Sequence, residues 1–275
     1  MTTAFVLGGG GKWGAVEVGM IQALHEAGVE ADLILGTSIG AFNGAVIADY
    51  PGREGVERLN GFWEEVTGAD LFQTGFFDRA LRVATMKPAL HETSELRKLV
   101  EHAIHPDTRI EDLHVPFQCV AASIEAVTDH WFDSGPLIDA VLASAAVPAL
   151  FPPVEIDGEH FYDGGLVDSI PLGRAIHLGA DVIYVLQVGR TESPLRPPER
   201  LYEAALISFE IARRHRFATA MRDLPDELEV HVLPTGSPVA WDDRRQLNWK
   251  DTGGIEDRMR AAYQASVEYL ESKLN

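Results

Sequence analysis

The fold of this chain is decided by the stretch Asp32-Leu33-Ile34-Leu35-Gly36-Thr37-Ser38-Ile39-Gly40. Its apolar first half predicts a buried strand, and the small residues at 41–48 predict a helix packed closely on the sheet. A serine at such a junction, with glycine two places before and two places after it, is typical of a nucleophile elbow. Any larger side chain at either glycine would collide with the neighbouring strand or helix. The stretch predicts a nucleophile at Ser38; the alternative is a tight turn whose glycines serve packing alone.

A glycine-rich loop precedes this stretch. Residues 8–11 are all glycine and lie between the apolar run 3–7 and a helical pattern that begins near Ala15. The backbone N–H groups of such a loop bind an anion, either a phosphate or the oxyanion of an acyl intermediate. Residues 9–14 match G-x-G-x-x-G, but a dinucleotide site also needs an acidic residue at the end of the next strand. That strand ends in Gly36-Thr37-Ser38, which argues against a dinucleotide.

A carboxylate follows an alternating segment near the middle of the chain, in Asp163-Gly164-Gly165. The two glycines allow close approach of the backbone, and the carboxylate is able to accept a proton from a serine hydroxyl. The alternative is a turn aspartate that binds its own backbone. The ten histidines offer no member of a Ser-His-Asp triad, and His102 and His105 lack a partner at metal-ligand spacing. We therefore expect no metal site.

These motifs, in this order, resemble those of the patatin-like phospholipase family. The resemblance rests on the glycine loop 9–14, on the elbow 36–40 and on Asp163-Gly164-Gly165. The segment 143–153 and Ile170-Pro171-Leu172 also resemble the family's sequence on either side of the Asp-Gly motif, so that the resemblance extends over residues 3–190.

The resemblance implies a serine acyl hydrolase that cleaves lipid esters in the manner of a phospholipase A. It implies a catalytic dyad, with Ser38 as the nucleophile and Asp163 as its base. It also implies an oxyanion hole formed by the backbone amides of Gly9, Gly10 and Gly11, and neither a catalytic histidine nor a cofactor. One departure concerns the residue before the last glycine of the loop, where the family usually carries Lys or Arg. Trp13 stands there and Lys12 comes one place earlier, so the role of a cation at this position is in question.

Alternating strand and helix patterns predict an α/β fold with a mostly parallel central sheet sandwiched between helices, in three layers. Strand patterns fall at 3–8, 32–36, 116–122, 128–133, 153–162, 181–188 and 228–233. Helical patterns fall at 14–27, 39–49, 54–66, 94–104, 136–145, 171–178, 200–222 and 255–273. We expect a single domain over residues 1–275 with a C-terminal helical elaboration at 197–275. Residues 68–92 form either a mobile cap that receives an acyl chain or an irregular packed segment.

The net charge of −19 argues against nucleic acid as a partner and against tight docking on anionic membranes. We expect a lipid or ester substrate and at most transient contact with a membrane surface; the oligomeric state is left open. The sequence shows no signal peptide and no bilayer-length apolar segment. The lone Cys119 belongs to no disulfide framework, and we expect a cytoplasmic location.

Three other functions compete with ester hydrolysis. An acyltransferase or a thioesterase would use the same nucleophile and differ in acceptor or leaving group. A lipid-binding or regulatory protein would keep the fold without the chemistry, although the retention of Ser38 and Asp163 argues against it. A nucleotide-binding oxidoreductase is disfavoured by the missing acidic residue described above.

Overall fold

A computed structural model describes residues 1–68, 93–189, 191, 194–199, 201–238 and 254–274 of the chain. The strands within these ranges are β1 (Thr3–Leu7), β2 (Leu33–Thr37), β3 (Phe117–Ser123), β4 (Thr128–Phe132), β5 (Val154–Ile156), β6 (Glu159–Asp163), β7 (Val182–Leu186) and β8 (Glu229–Val232). The helices are α1 (Ala15–Glu26), α2 (Ile39–Asp49), α3 (Arg53–Gly68), α4 (Thr93–Glu101), α5 (Leu137–Ser144), α6 (Leu172–His177), α7 (Leu201–Arg222) and α8 (Ile255–Leu274).

The strands form one mixed sheet in the order β5-β6-β3-β2-β1-β7-β8, with β4 also paired to β3. The four pairs β3–β2, β2–β1, β1–β7 and β7–β8 are parallel. The pairs β3–β4, β3–β6 and β5–β6 are antiparallel. Helices connect the parallel strands, as the crossover between parallel neighbours requires. The predicted α/β class with a mostly parallel central sheet is confirmed.

Both faces of the central strands are covered by helices. Phe5 and Leu7 of β1 belong to a core that includes side chains of α1, α2, α3, α5 and α8. Ala4 and Val6, which point to the other face, belong to a second core with side chains of α6 and α7. Since successive strand residues face opposite ways, one apolar run supplies both cores. The sheet is therefore the middle of three layers.

The structure corrects the prediction of one strand over 153–162. The segment is a hairpin of β5 and β6 whose turn residues, Asp157 and Gly158, have φ values of 53° and 83°. Positive φ at both positions matches the right-handed twist of the flanking strands, and an Asp-Gly pair is the common sequence for it. The other strand and helix patterns begin and end within three residues of the observed elements. The candidate cap at 68–92 lies, from residue 69 onward, outside the described residues.

The C-terminal helix packs along the first helix of the chain. At Gly19 of α1 a β-carbon would overlap the carbonyl oxygen of Met259 in α8, so glycine permits this close approach of the two backbones. Helices α7 and α8 lie where helical patterns were predicted in 197–275. The assignment of that region as an elaboration of one domain stays a prediction.

The edge of β3 that faces β2 is shared by two strands. Strand β4 pairs with residues Cys119–Ser123, which fills one edge of β3 along that length. On the other edge, β2 runs parallel to β3 as far as the pair Thr37–Val120, and β6 runs antiparallel from Ser123 to Ala121, which pairs with Asp163. The carboxyl ends of β2 and β6 therefore meet end to end.

Candidate active site

Ser38 occupies a strained turn between β2 and α2. Its φ of 55° and ψ of −121° lie in a region that side chains rarely adopt. A β-carbon at Gly36 would lie 2.5 Å from Ala41 Cα, and one at Gly40 would lie 2.5 Å from Leu7 O. Both glycines are therefore required by close backbone approach, one to the helix and the other to the neighbouring strand, as the sequence predicts for a nucleophile elbow.

Two hydroxyl groups hold this turn in place. The Ser38 N–H donates to Ser144 Oγ at 2.9 Å, and Ser144 Oγ donates to Val120 O at 2.6 Å. Thr37 Oγ1 donates to Asp168 O at 2.8 Å. All of these bonds are buried, so each satisfies a polar group that has no access to water. Sequence reasoning assigned no role to Ser144, and its place after the apolar run of α5 gives no signal for one.

The predicted dyad residues are in direct contact. Ser38 Oγ donates to Asp163 Oδ2 at 2.6 Å, and Asp163 Oδ1 accepts from the Gly165 N–H at 2.7 Å. The Asp163 N–H donates to Ala146 O at 3.0 Å, which fixes the backbone beneath the carboxylate. Only 7% of Ser38 and 5% of Asp163 are exposed. This geometry suits proton transfer from the hydroxyl to the carboxylate.

The glycine loop lies beside the nucleophile. A β-carbon on Gly9 would lie 3.4 Å from Ser38 Cβ. The Gly9 N–H donates to Ser169 O at 2.9 Å and is therefore already engaged. The oxyanion hole of Gly9, Gly10 and Gly11 stays a prediction, and the bond to Ser169 weighs against Gly9 as one of its donors. The φ of Gly11 is 58°, a conformation that favours glycine.

A buried polar cluster lies behind the loop, and sequence reasoning missed it. Asn43 Nδ2 donates to Glu17 Oε2 at 2.9 Å and to Gly14 O at 3.0 Å. Trp63 Nε1 donates to Asn43 Oδ1 at 3.3 Å. Burial holds the pKa of Glu17 well above its usual range, although the hydrogen bond from Asn43 lowers it. The available signal was a glutamate inside the apolar run 15–18, where a charge would otherwise be costly.

Lys12 is buried against the tryptophan that follows it. Lys12 Nζ lies 4.8 Å from the centroid of the Trp13 ring, and the Arg258 guanidinium lies 4.5 Å from the same centroid. Two cations thus contact one indole, an arrangement in which the ring quadrupole offsets part of their desolvation. Trp13 is 1% exposed. The residue that departs from the family pattern therefore fills a buried site between the loop and α8.

Asp168 is a second acidic residue near the site whose pKa is raised. Burial raises the pKa of Asp168 to about 7, while Arg216 lowers it and Asp129 raises it further. Asp168 is 8% exposed and follows Asp163 by five residues in the same turn region. Its side chain is therefore largely neutral below pH 7.

Two features are absent from the described ranges. They contain no group of three or more His, Cys, Asp or Glu side chains arranged to hold a metal ion. In the same part of the chain, no helix combines the length and the apolar character needed to cross a bilayer.

Comparison with known families and proteins gives consistent matches. The family model for patatin-like phospholipase matches residues 5–176. The chain is 34% identical over 188 residues to lysophospholipase nte1 of Aspergillus terreus, covering 68% of this chain and 12% of that protein. It is 32% identical over 195 residues to patatin-like phospholipase domain-containing protein 7 of Mus musculus, covering 70% of this chain and 14% of that protein. The chain thus spans about one eighth of the length of these curated relatives.

Among solved structures, VipD from Legionella pneumophila is similar to this chain with a TM-score of 0.55. The two sequences are 16% identical, and the match covers 98% of this chain and 67% of VipD. At this identity the similarity concerns the fold alone.

Proposed function

Because the chain belongs to the patatin-like phospholipase family, we propose that it is a serine acyl hydrolase that cleaves lipid esters through Ser38 and Asp163. The observation that carries the proposal is the 2.6 Å hydrogen bond from Ser38 Oγ to Asp163 Oδ2 within the strained turn. A serine without an adjacent base is a weak nucleophile, and in this proposal the Asp163 carboxylate is that base.

In the proposed mechanism Ser38 Oγ attacks the ester carbonyl while its proton passes to Asp163 Oδ2. The Gly165 N–H, 2.7 Å from Asp163 Oδ1, keeps the carboxylate oriented during the transfer. The negative charge that develops on the carbonyl oxygen is held by the loop amides of Gly10 and Gly11, each donor contributing about 3 kcal/mol to the transition state. The proton then moves from Asp163 to the departing alcohol oxygen, which leaves an acyl-enzyme on Ser38.

Water completes the cycle by the same route in reverse. Asp163 accepts a proton from water as the oxygen attacks the acyl carbonyl, and Ser38 Oγ leaves and regains its proton. The products are a free fatty acid and the alcohol part of the substrate. The sequence of steps needs no group beyond the two side chains and the loop amides.

A lipid rather than a small polar ester is supported by two observations. The relatives are named for phospholipids or lysophospholipids, which carry long acyl chains. In addition, Leu166, three residues after Asp163, is 43% exposed and presents an apolar surface close to the dyad. Contact of this surface with an acyl chain would bury area that otherwise faces water.

The test is the release of fatty acid from lysophosphatidylcholine by the purified 275-residue chain. Wild type is expected to release the acid and Ser38→Ala to release none above background. Addition of a long-chain alcohol as a competing acceptor separates hydrolysis from acyl transfer. Folded wild type that releases no acid from phospholipids, lysophospholipids or p-nitrophenyl esters would contradict the proposal.

A further inference from the structure

A buried arginine reaches the glycine loop from a part of the chain that the family model does not match. Arg213 lies in α7, beyond residues 5–176, and is 5% exposed. Its Nη1 donates to Gly9 O at 3.2 Å and to Ser169 Oγ at 3.3 Å. Ser169 O in turn accepts from the Gly9 N–H at 2.9 Å. Gly9 is therefore held at both its N–H and its carbonyl.

The orientation of this arginine is fixed by a buried carboxylate. Arg213 Nη2 donates to Glu210 Oε1 at 2.7 Å and Arg213 Nε donates to Glu210 Oε2 at 3.2 Å. Arg214 Nε also donates to Glu210 Oε1, at 2.9 Å. A buried ion pair contributes little net stability, because desolvation of both charges offsets their attraction. The pair is better explained by what the guanidinium does at the loop.

The carbonyl that Arg213 contacts belongs to the same peptide group as the Gly10 N–H. The described residues include no cis peptide bond, so this carbonyl and this N–H point in opposite directions. A cation on the carbonyl oxygen withdraws electron density from the peptide and makes its N–H a stronger donor. Rotation of the Gly9–Gly10 peptide, which glycine would otherwise permit, would break the bond to Arg213.

We infer that Arg213 is a positioning residue, which orients and polarises the Gly9–Gly10 peptide so that the Gly10 N–H binds the oxyanion of the acyl intermediate. The inference rests on the proposed ester hydrolysis. Arg213 does not touch the substrate; it acts through the peptide, and Glu210 holds it in place. The effect is larger in the transition state than in the bound ester, because the oxyanion carries more negative charge than a carbonyl oxygen.

The test compares Arg213→Gln with Arg222→Gln, which removes an exposed cation from the last turn of the same helix. For Arg213→Gln we expect kcat on a p-nitrophenyl ester to fall about tenfold or more, with KM within about twofold of wild type. Affinity for a trifluoromethyl ketone, which forms an oxyanion on Ser38, is expected to fall about tenfold, whereas affinity for a non-hydrolysable ether analogue stays unchanged. Arg222→Gln is expected to retain the wild-type values.

The same measurements distinguish failure of the proposed ester hydrolysis from failure of the role inferred for Arg213. Wild type that neither turns over ester nor binds the ketone overturns the proposed function and this inference together. Active wild type, with Arg213→Gln equal to it in kcat and ketone affinity, overturns the inference alone. Equal losses of ketone and ether affinity would also overturn it, since they indicate a general structural defect. If Arg213→Gln does not fold, the double variant Glu210→Met/Arg213→Met removes both buried charges, and the same outcomes apply to it.

Discussion

Thr37 and Asp163 end their strands at adjacent positions along one edge of β3, where Thr37 pairs with Val120 and Asp163 pairs with Ala121. Because β2 and β6 run in opposite directions, their carboxyl ends converge. The next residue after Thr37 is Ser38, and this convergence brings its hydroxyl to the carboxylate. A parallel β6 would have placed its amino end at this point.

Ser144 is expected to be essential for the shape of the elbow. Ser144→Ala leaves the buried Ser38 N–H without its acceptor and Val120 O without its donor, at a cost of about 1–3 kcal/mol in the free energy of unfolding. Relaxation of the turn should also lower kcat about tenfold or more. Urea denaturation and ester turnover measure the two effects. Ser272→Ala, which removes a hydroxyl-to-carbonyl bond on the exposed side of α8, is the control; equal effects in both variants would contradict this role.

Gly40 is expected to tolerate no side chain. Gly40→Ala would place a β-carbon 2.5 Å from Leu7 O and 2.8 Å from Gly8 O, both of them backbone atoms that cannot rotate away. We expect a loss of about 3 kcal/mol or more in the free energy of unfolding. Gly61→Ala in α3 meets nothing within 4 Å and should stabilise the protein by about 0.5–1 kcal/mol. A Gly40→Ala protein as stable as wild type would refute the close approach of β1 and α2.

Because the pKa of Asp168 is raised in the folded chain, we expect the free energy of unfolding to fall as the pH rises. Its pKa is about 7 in the folded chain against 3.8 as the ordinary value, so between these values the unfolded state has lost a proton that the folded state keeps. The free energy of unfolding should then fall by about 1.4 kcal/mol per pH unit over this window and change no further above it.

The measurement is urea denaturation at pH 5 and pH 8 of wild type, Asp168→Asn and Asp226→Asn. Asp168→Asn should lose less stability than wild type between the two pH values, because the amide does not ionise. Asp226→Asn, an exposed turn position, should follow wild type. Parallel pH dependence in wild type and Asp168→Asn would contradict the assignment.

The sequence predicted the elements that depend on local pattern. The elbow followed from the spacing of Gly36, Ser38 and Gly40, although only Gly36 meets backbone within the motif, whereas Gly40 meets the end of β1. The partnership with Asp163 came only from the family resemblance, since 125 residues separate the two side chains and the antiparallel direction of β6 is a property of the whole sheet.

The roles of residues that act through long-range packing could not be predicted from the sequence. Arg213 belongs to a basic stretch that would suit an exposed helix face, and only the docking of α7 places it on Gly9. The engagement of the Gly9 N–H likewise depends on Ser169, which lies 160 positions later in the chain. Neither contact has a local sequence signal, because no period or spacing relates positions so far apart.

The most direct test of the dyad is the rate at which a fluorophosphonate labels the protein, followed by intact mass and peptide mapping. We expect a single adduct on Ser38 in wild type, no adduct in Ser38→Ala, and labelling slowed about 100-fold or more in Asp163→Asn, which has lost the base. Asp157→Asn, in the exposed turn before β6, should label at the wild-type rate. An adduct on another residue, or wild-type labelling of folded Asp163→Asn, would contradict the claim that Ser38 and Asp163 work as a pair.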